Sequence, residues 1–357
     1  MTETNLSCLL YGPGKVRFED RPVPQIEDPN DVLIRIAYVG VCGSDVHFWR
    51  HGGVIRLVTE SQPLVMGHEA SGIVHAIGPG VTTLQPGDSV AIEAGFPCRQ
   101  CRNCKIGRYN LCAQMRFAAD PPDTHGTLCR IFRIPSDFVY KIPEGLSLQE
   151  AVLVEPLAVA VHGVRLAGVV GPGVSVLVQG AGTIGLLGAA VARAFGTRRV
   201  FITDVREEKR DFAKGYLGCV TLAPDVSETP EAVATRVKKE MGLEEGVDVV
   251  LECTGVEASA QAGLYALAAA GVFVQIGLGK AMQSLPLLDM CEKETVLKTA
   301  FRYGPRDYEI ALELLDSGAV SGGPLISSIV PFEKAAEAWE RTGRGEGIKN
   351  LIEGVRD

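Results

Sequence analysis

The sequence predicts an α/β chain of two domains, one β-rich and the other a doubly wound parallel sheet. Three observations carry this expectation. The 357 residues are too many for one comfortable core. The first 150 or so read as short strands broken by Pro and Gly. From Val174 onward, apolar runs alternate with amphipathic stretches, the pattern of parallel strands joined by right-handed helical crossovers.

In the β-rich part, Asp31 to Val39 and Ser71 to Ile77 have strand character, and Gln85 to Ile92 is a turn feeding another strand. In the alternating part, Val174 to Gln179 is a buried-strand run and Ile184 to Phe195 an Ala-rich helix. Val200 to Asp204 is a second strand, Arg206 to Leu217 a second helix, and the runs from Val247 and Val272 continue the series. Beyond Phe301 the pattern predicts helices over 305–317 and 332–341 and a closing strand after Gly347. This tail is expected to rejoin the first domain. The expected division is residues 1–156 with 302–357 as one domain and 157–301 as the other.

Composition narrows the function. A hydrophobic share of 46% with 22% charged residues fits a folded globular protein. The formal charge of -8 argues against nucleic acid or an anionic membrane as partner. No run of about 18 apolar residues offers a membrane span, and the acidic start lacks a signal-peptide pattern. The expected location is therefore cytoplasmic. Four of the ten cysteines fall between positions 98 and 112, which in a reducing compartment points to metal rather than disulfides.

Gly180-Ala-Gly182-Thr183-Ile184-Gly185 is a G-x-G-x-x-G between a buried strand and a helix. There, backbone N–H groups and the helix dipole can face a pyrophosphate. Asp204 ends the next strand, 19 residues beyond Gly185. A carboxylate at that point can bind both ribose hydroxyls of NAD and repels the 2′-phosphate of NADP, although Arg206 nearby could accommodate one.

Cys98-x2-Cys101-x2-Cys104-x7-Cys112 offers four thiolates on one lobe, enough to close a tetrahedron around a structural zinc. A second zinc site is expected from separated residues. Cys42 follows a strand, and His68-Glu69 precede another. Three protein ligands with an open position make a catalytic zinc, which lowers the pKa of a bound hydroxyl. Glu155 is a further candidate, either as a direct ligand or as the group that holds the zinc-bound water.

The run Gly67-His68-Glu69-x2-Gly72-x5-Gly78-x2-Val81 resembles the signature of zinc-containing alcohol dehydrogenases, and the likeness extends along the whole chain. Cys42-Gly-Ser-Asp-Val-His-Phe-Trp, Val154-Glu-Pro-Leu, Leu251-Glu-Cys-Thr-Gly and Phe301-Arg-Tyr resemble the polyol branch of that medium-chain superfamily. That branch holds sorbitol, xylitol (D-xylulose reductase) and L-arabinitol 4-dehydrogenases, the fungal members being most similar. The resemblance implies a GroES-like catalytic domain and a Rossmann domain, two zinc ions per chain, and NAD. It further implies Cys42, His68 and Glu69 as catalytic ligands, with Glu155 on the zinc-bound water. Ser44 and His47 match a proton relay, and Arg302 and Tyr303 match positions lining a polyol pocket. Phe48 and Phe117 are also expected near the substrate. Asp120 stands where relatives usually carry Thr, at the pocket mouth. A homo-oligomer, a tetramer by analogy, is implied in the same way.

The resulting expectation is a zinc-dependent enzyme moving a hydride between a polyol secondary alcohol and NAD to give a ketose. A pathway-specific dehydrogenase for a non-sugar secondary alcohol is the alternative within enzymes. An inactive NAD-binding sensor on the same scaffold is the alternative outside them.

Overall fold

The computed structural model describes residues 4–53, 56–122 and 124–356. It divides the chain into two compact units. The first runs through Glu155 and takes in Ala311–Asp316 and the chain from Ser321 onward. The second comprises Pro156–Ile310 and Ser317–Val320.

The first unit is built on Asp31–Gly40, a ten-residue strand buried along most of its length. Its run of Val, Leu and Ile suits a strand covered on both faces. It pairs antiparallel with Glu69–Ile77, Lys349–Glu353 and Ile131–Pro135. Val139–Lys141, Ser89–Ile92 and Ile326–Val330 extend the same sheet. In this register Gly40 stands opposite both Glu69 and Leu351. A side chain at position 40 would collide with the Glu69 carboxylate and crowd Val152, so only glycine lets that carboxylate lie across the strand. A smaller sheet joins Val16–Pro22, Thr4–Leu10 and Leu64–Val65.

The second unit carries, among the described residues, six parallel strands. Their spatial order is Val220–Leu222, Arg199–Thr203, Ser175–Gln179, Val247–Glu252, Leu267–Gln275 and Val296–Thr299. The expected strand–helix alternation and doubly wound sheet are both present. Ser175–Gln179 is buried at every position and leads into the helix Thr183–Ala194. Among the described residues, no helix is long and apolar enough to cross a membrane.

The second domain boundary differs from the sequence expectation. Residues 302–310 cluster with the nucleotide-binding unit rather than with the first. The cause is polar: buried Asp307 bonds to His162 and Arg165, both on the helix Val154–Ala167. Return to the first core begins with Ala311–Asp316.

Trp339, fully buried on the helix Ala335–Gly343, seats that helix in the first core, 5.4 Å from the ring of Trp49. Trp339→Ala should cost about 3–5 kcal/mol of stability, the range for deleting a large buried aromatic. Urea unfolding followed by circular dichroism measures it. Wild-type stability in that variant would detach the C-terminal helix from the first core.

Candidate metal centre and dinucleotide site

The end of the Asp31–Gly40 strand delivers Val41 and Cys42, and Cys42 caps the helix Gly43–His51. Its backbone N–H donates to Asp45 at 2.9 Å, a reciprocal cap that sequence reading missed although the three-residue spacing was its signal. The helix puts Ser44, His47 and Phe48 on one face, at spacings of three and four residues.

Cys42, His68 and Glu69 offer ligand atoms that all lie within 4.8 Å of one another. His68 and Glu69 are buried. The Asp45 carboxylate faces His68 Nδ1 at 3.6 Å, leaving Nε2 as the nitrogen free to ligate. Burial alone would push the His68 imidazolium down. Asp45, Cys42 and Glu155 outweigh it and hold the ring's pKa well above its ordinary value. A metal must therefore displace a proton from His68, and its retention weakens as pH falls.

Lys349, 2% exposed, donates to both oxygens of Glu69, at 2.8 and 2.6 Å, and to the Val41 carbonyl at 3.0 Å. Each carboxylate oxygen has a second lone pair, so Glu69 can accept from Lys349 and still ligate a cation. Sequence reading missed Lys349. Its signal is a charged residue in the otherwise apolar closing strand. Glu155, also buried, does not join the three-ligand cluster, although its charge raises both His68 and Lys349. Of the two carboxylates left open by the sequence, the geometry groups Glu69 with the thiol and the imidazole. Soft and borderline donors with an open side fit zinc.

The ring of Phe117 lies 5.5 Å from that of His68. Asp120 is partly buried and pairs with Arg56 at 3.9 Å, which offsets its charge.

On the separate lobe, Cys98, Cys101, Cys104 and Cys112 also lie within 4.8 Å of one another. Their sulfur separations include 3.4 Å for Cys101–Cys104 and 3.9 Å for both Cys98–Cys104 and Cys101–Cys112. Zn–S bonds of about 2.3 Å call for tetrahedral edges of about 3.8 Å, so the thiols fit the ion closely. Backbone N–H groups of Gln100 and Cys101 pull the Cys98 thiol down to about 6, toward the thiolate a metal requires.

In the second unit, the Gly180-to-Gly185 loop is backbone-tight. Gly180 has φ +97°, and a side chain on Gly185 would strike the Gly180 carbonyl. No atom would crowd one at Gly182, the helix cap before Thr183 and Ile184, so the loop can approach a ligand there. Asp204 accepts from the backbone N–H of Ala181 at 2.8 Å and of Arg206 at 2.9 Å, which fixes its carboxylate beside the loop. The Arg206 side chain pairs with Glu208 at 2.6 Å, which competes with any role at a 2′-phosphate. A cavity of about 260 Å³ opens here, lined by Gly180, Asp204, Val205, Asp225 and Thr254 among others.

Tyr303 is buried, its ring edge-on to Tyr308 at 4.9 Å, while the Arg302 guanidinium lies over Phe301 at 4.8 Å.

A thiolate–imidazole–carboxylate cluster, a four-thiol lobe and a dinucleotide loop define the zinc-binding dehydrogenases, and the chain belongs to that family. Residues 28–144 match the alcohol dehydrogenase GroES-like domain and 183–317 the zinc-binding dehydrogenase domain. It is 46% identical to D-xylulose reductase A of Aspergillus niger, covering 98% of this chain and 97% of that one. Identity to "Probable D-xylulose reductase A" of Aspergillus clavatus is also 46%, over 100% and 98% of the two chains. Among solved structures, L-idonate 5-dehydrogenase from Escherichia coli superposes with a TM-score of 0.88 at 28% identity, covering 99% of each chain. Galactitol-1-phosphate dehydrogenase from the same organism gives 0.87 at 26%, covering 97% of this chain and 99% of that one.

Cys98→Ser should lower zinc content from two ions per chain to one, because a hydroxyl is a poor substitute for a thiolate. Elemental analysis of the purified protein counts the ions. Two ions retained in the variant would contradict a four-thiol zinc site.

Proposed function

We propose that the protein is an NAD-dependent polyol dehydrogenase, oxidising a secondary hydroxyl of a sugar alcohol to a ketose and running in reverse. The observation that carries this reading is the Cys42–His68–Glu69 cluster. By the family resemblance, Glu155 stands in the neighbourhood where simple alcohol dehydrogenases carry a second cysteine ligand. The printed names of the D-xylulose reductases support the same substrate class.

Cys42, His68 and Glu69 would hold the catalytic zinc, and Cys98, Cys101, Cys104 and Cys112 the structural one. When bound, zinc polarises the reacting oxygen and NAD takes the hydride. Ser44 Oγ accepts the substrate's hydroxyl proton and passes it toward His47, on the same helix face. Glu155 accepts a hydrogen bond from water or a substrate hydroxyl. Gly180 to Gly185 cradle the pyrophosphate through backbone N–H groups, and Asp204 binds the adenosine ribose. Phe48 and Phe117 supply apolar walls, and by the family resemblance Arg302 takes a remaining hydroxyl, whereas Tyr303 is buried. Asp120, held by Arg56, borders the pocket.

A homo-oligomer, a tetramer by the family resemblance, is part of the proposal. Val296 and Leu297 are exposed on the edge strand Val296–Thr299, and Leu287 and Leu288 on the preceding helix, an apolar edge that a second copy would cover. A cytoplasmic location suits the ten unpaired cysteines.

A site built for several hydroxyls penalises their loss, since its polar groups are left unpaired. Xylitol or sorbitol should exceed 2-butanol in kcat/KM by at least about 100-fold, equivalent to roughly 3 kcal/mol. NAD should be preferred to NADP. Oxidation releases a proton and should rise with pH, whereas ketose reduction consumes one and should fall. A steady-state panel of polyols and simple alcohols with both cofactors measures all of this. Equal rates on 2-butanol would sink the polyol assignment and leave only a zinc alcohol dehydrogenase.

A further inference from the structure

His47 and His51 stand four residues apart on the helix Gly43–His51, so their side chains share one face. Their ring centroids are 4.8 Å apart, with the ring planes tilted by 51°. A shared ion requires that spacing. A metal–nitrogen bond of about 2.1 Å puts each ring centroid about 3.2 Å from the ion, so rings bound at right or tetrahedral angles have centroids about 4.5–5.2 Å apart. Two histidines at this helical spacing also supply the zinc-binding pair of the H-E-x-x-H motif. His51 is exposed and His47 half-buried, which leaves the pair open to solvent. Among the described residues, no hydrogen bond or ion pair takes either ring. Arg50, the cation between them in sequence, is turned onto another helix: a side chain added at Gly343, on Ala335–Gly343, would strike its guanidinium. His51 closes its helix, where the unsatisfied backbone carbonyls favour positive charge.

We infer that His47 and His51 form a third metal site, which chelates a divalent transition cation such as Ni²⁺, Cu²⁺ or excess Zn²⁺. Two imidazoles without a thiolate or carboxylate make it weaker than the Cys42–His68–Glu69 cluster, and they bind nickel and copper ahead of zinc. Water fills the remaining coordination positions. The other four histidines do not compete as pairs. His68 belongs to the buried cluster, His162 is bonded to Asp307, and His125 accepts from the Val65 N–H. His75 stands exposed on the strand Glu69–Ile77. Occupancy of the site is inhibitory, because a ring nitrogen bound to a metal has lost the lone pair that takes up a proton. This consequence rests on the reading of His47 as the residue that passes the substrate's proton outward, whereas the site itself does not.

The test uses the untagged, zinc-loaded protein. Nickel chloride is titrated by calorimetry, and zinc per chain is counted before and after. Wild type should bind one nickel ion per chain and retain both zinc ions. His51→Gln should weaken nickel binding at least about 10-fold, with zinc content and nickel-free polyol kcat within about twofold of wild type. His75→Gln should bind nickel as wild type does. Nickel should inhibit polyol oxidation by wild type over the range in which it binds, and His51→Gln should need at least about 10-fold more. No third ion in wild type, or equal binding by His51→Gln, overturns the site. Binding lost in His51→Gln with equal nickel inhibition of both proteins overturns the inhibitory role alone. Polyol turnover unchanged in His47→Gln overturns the proton-passing reading, and the binding result still decides the site.

Discussion

The buried pair of Lys349 and Glu69 is the constraint around which the metal centre is arranged. Neither group can stay charged alone in an apolar interior, because burying an unpaired charge costs several kcal/mol. Each is held by the other at 2.6–2.8 Å. The pair also fixes strand register. Lys349 opens the closing strand and Glu69 opens another, and both strands flank Asp31–Gly40. Gly40 has no side chain so that the carboxylate can pass, and Cys42 follows two residues later. Sheet geometry and ligand geometry are thus one solution. Shifting a strand by one residue would turn Glu69 to the opposite face.

Around that pair the centre gathers further acidic side chains, and burial raises the pKa of the Asp45 carboxyl. Asp45, Glu69 and Glu155 are all buried, and His68 is drawn toward its protonated form by Asp45, Cys42 and Glu155 against the opposing effect of burial. A dication would find its donors at a helix cap (Cys42), at the first residue of a strand (Glu69) and at the residue just before it (His68). Secondary-structure placement of this sort keeps ligands within the narrow tolerances catalysis demands. The four-thiol lobe solves a different problem. Cys98 to Cys112 carry only a four-residue helix and a short 3₁₀ turn, so a cross-link must do what a core would do elsewhere.

Features written locally were readable from the sequence. Cysteine spacing, the Gly180–Gly185 loop and the strand–helix alternation each encode their structure within a few residues. The helix Gly43–His51 was not read, because Gly and Ser at its start argue against helix and its support comes from Trp49 packing on Trp339. Lys349 was missed as the partner of Glu69 because 280 residues separate them. The second domain boundary moved for the same reason, since Asp307 meets its partners about 145 residues away. Burial of Tyr303 against Tyr308 was likewise invisible to a motif match. Long-range polar contacts leave no periodic trace in a single sequence.

Cys42, His68 and Glu69 are proposed to form one zinc site distinct from the four-thiol lobe. Zinc counting on His68→Ala, with turnover and NAD affinity read on the same sample, tests it most directly. The variant should hold one zinc per chain instead of two, keep NAD affinity within about twofold of wild type, and show no detectable polyol oxidation. Two zinc ions per chain with turnover preserved would contradict it.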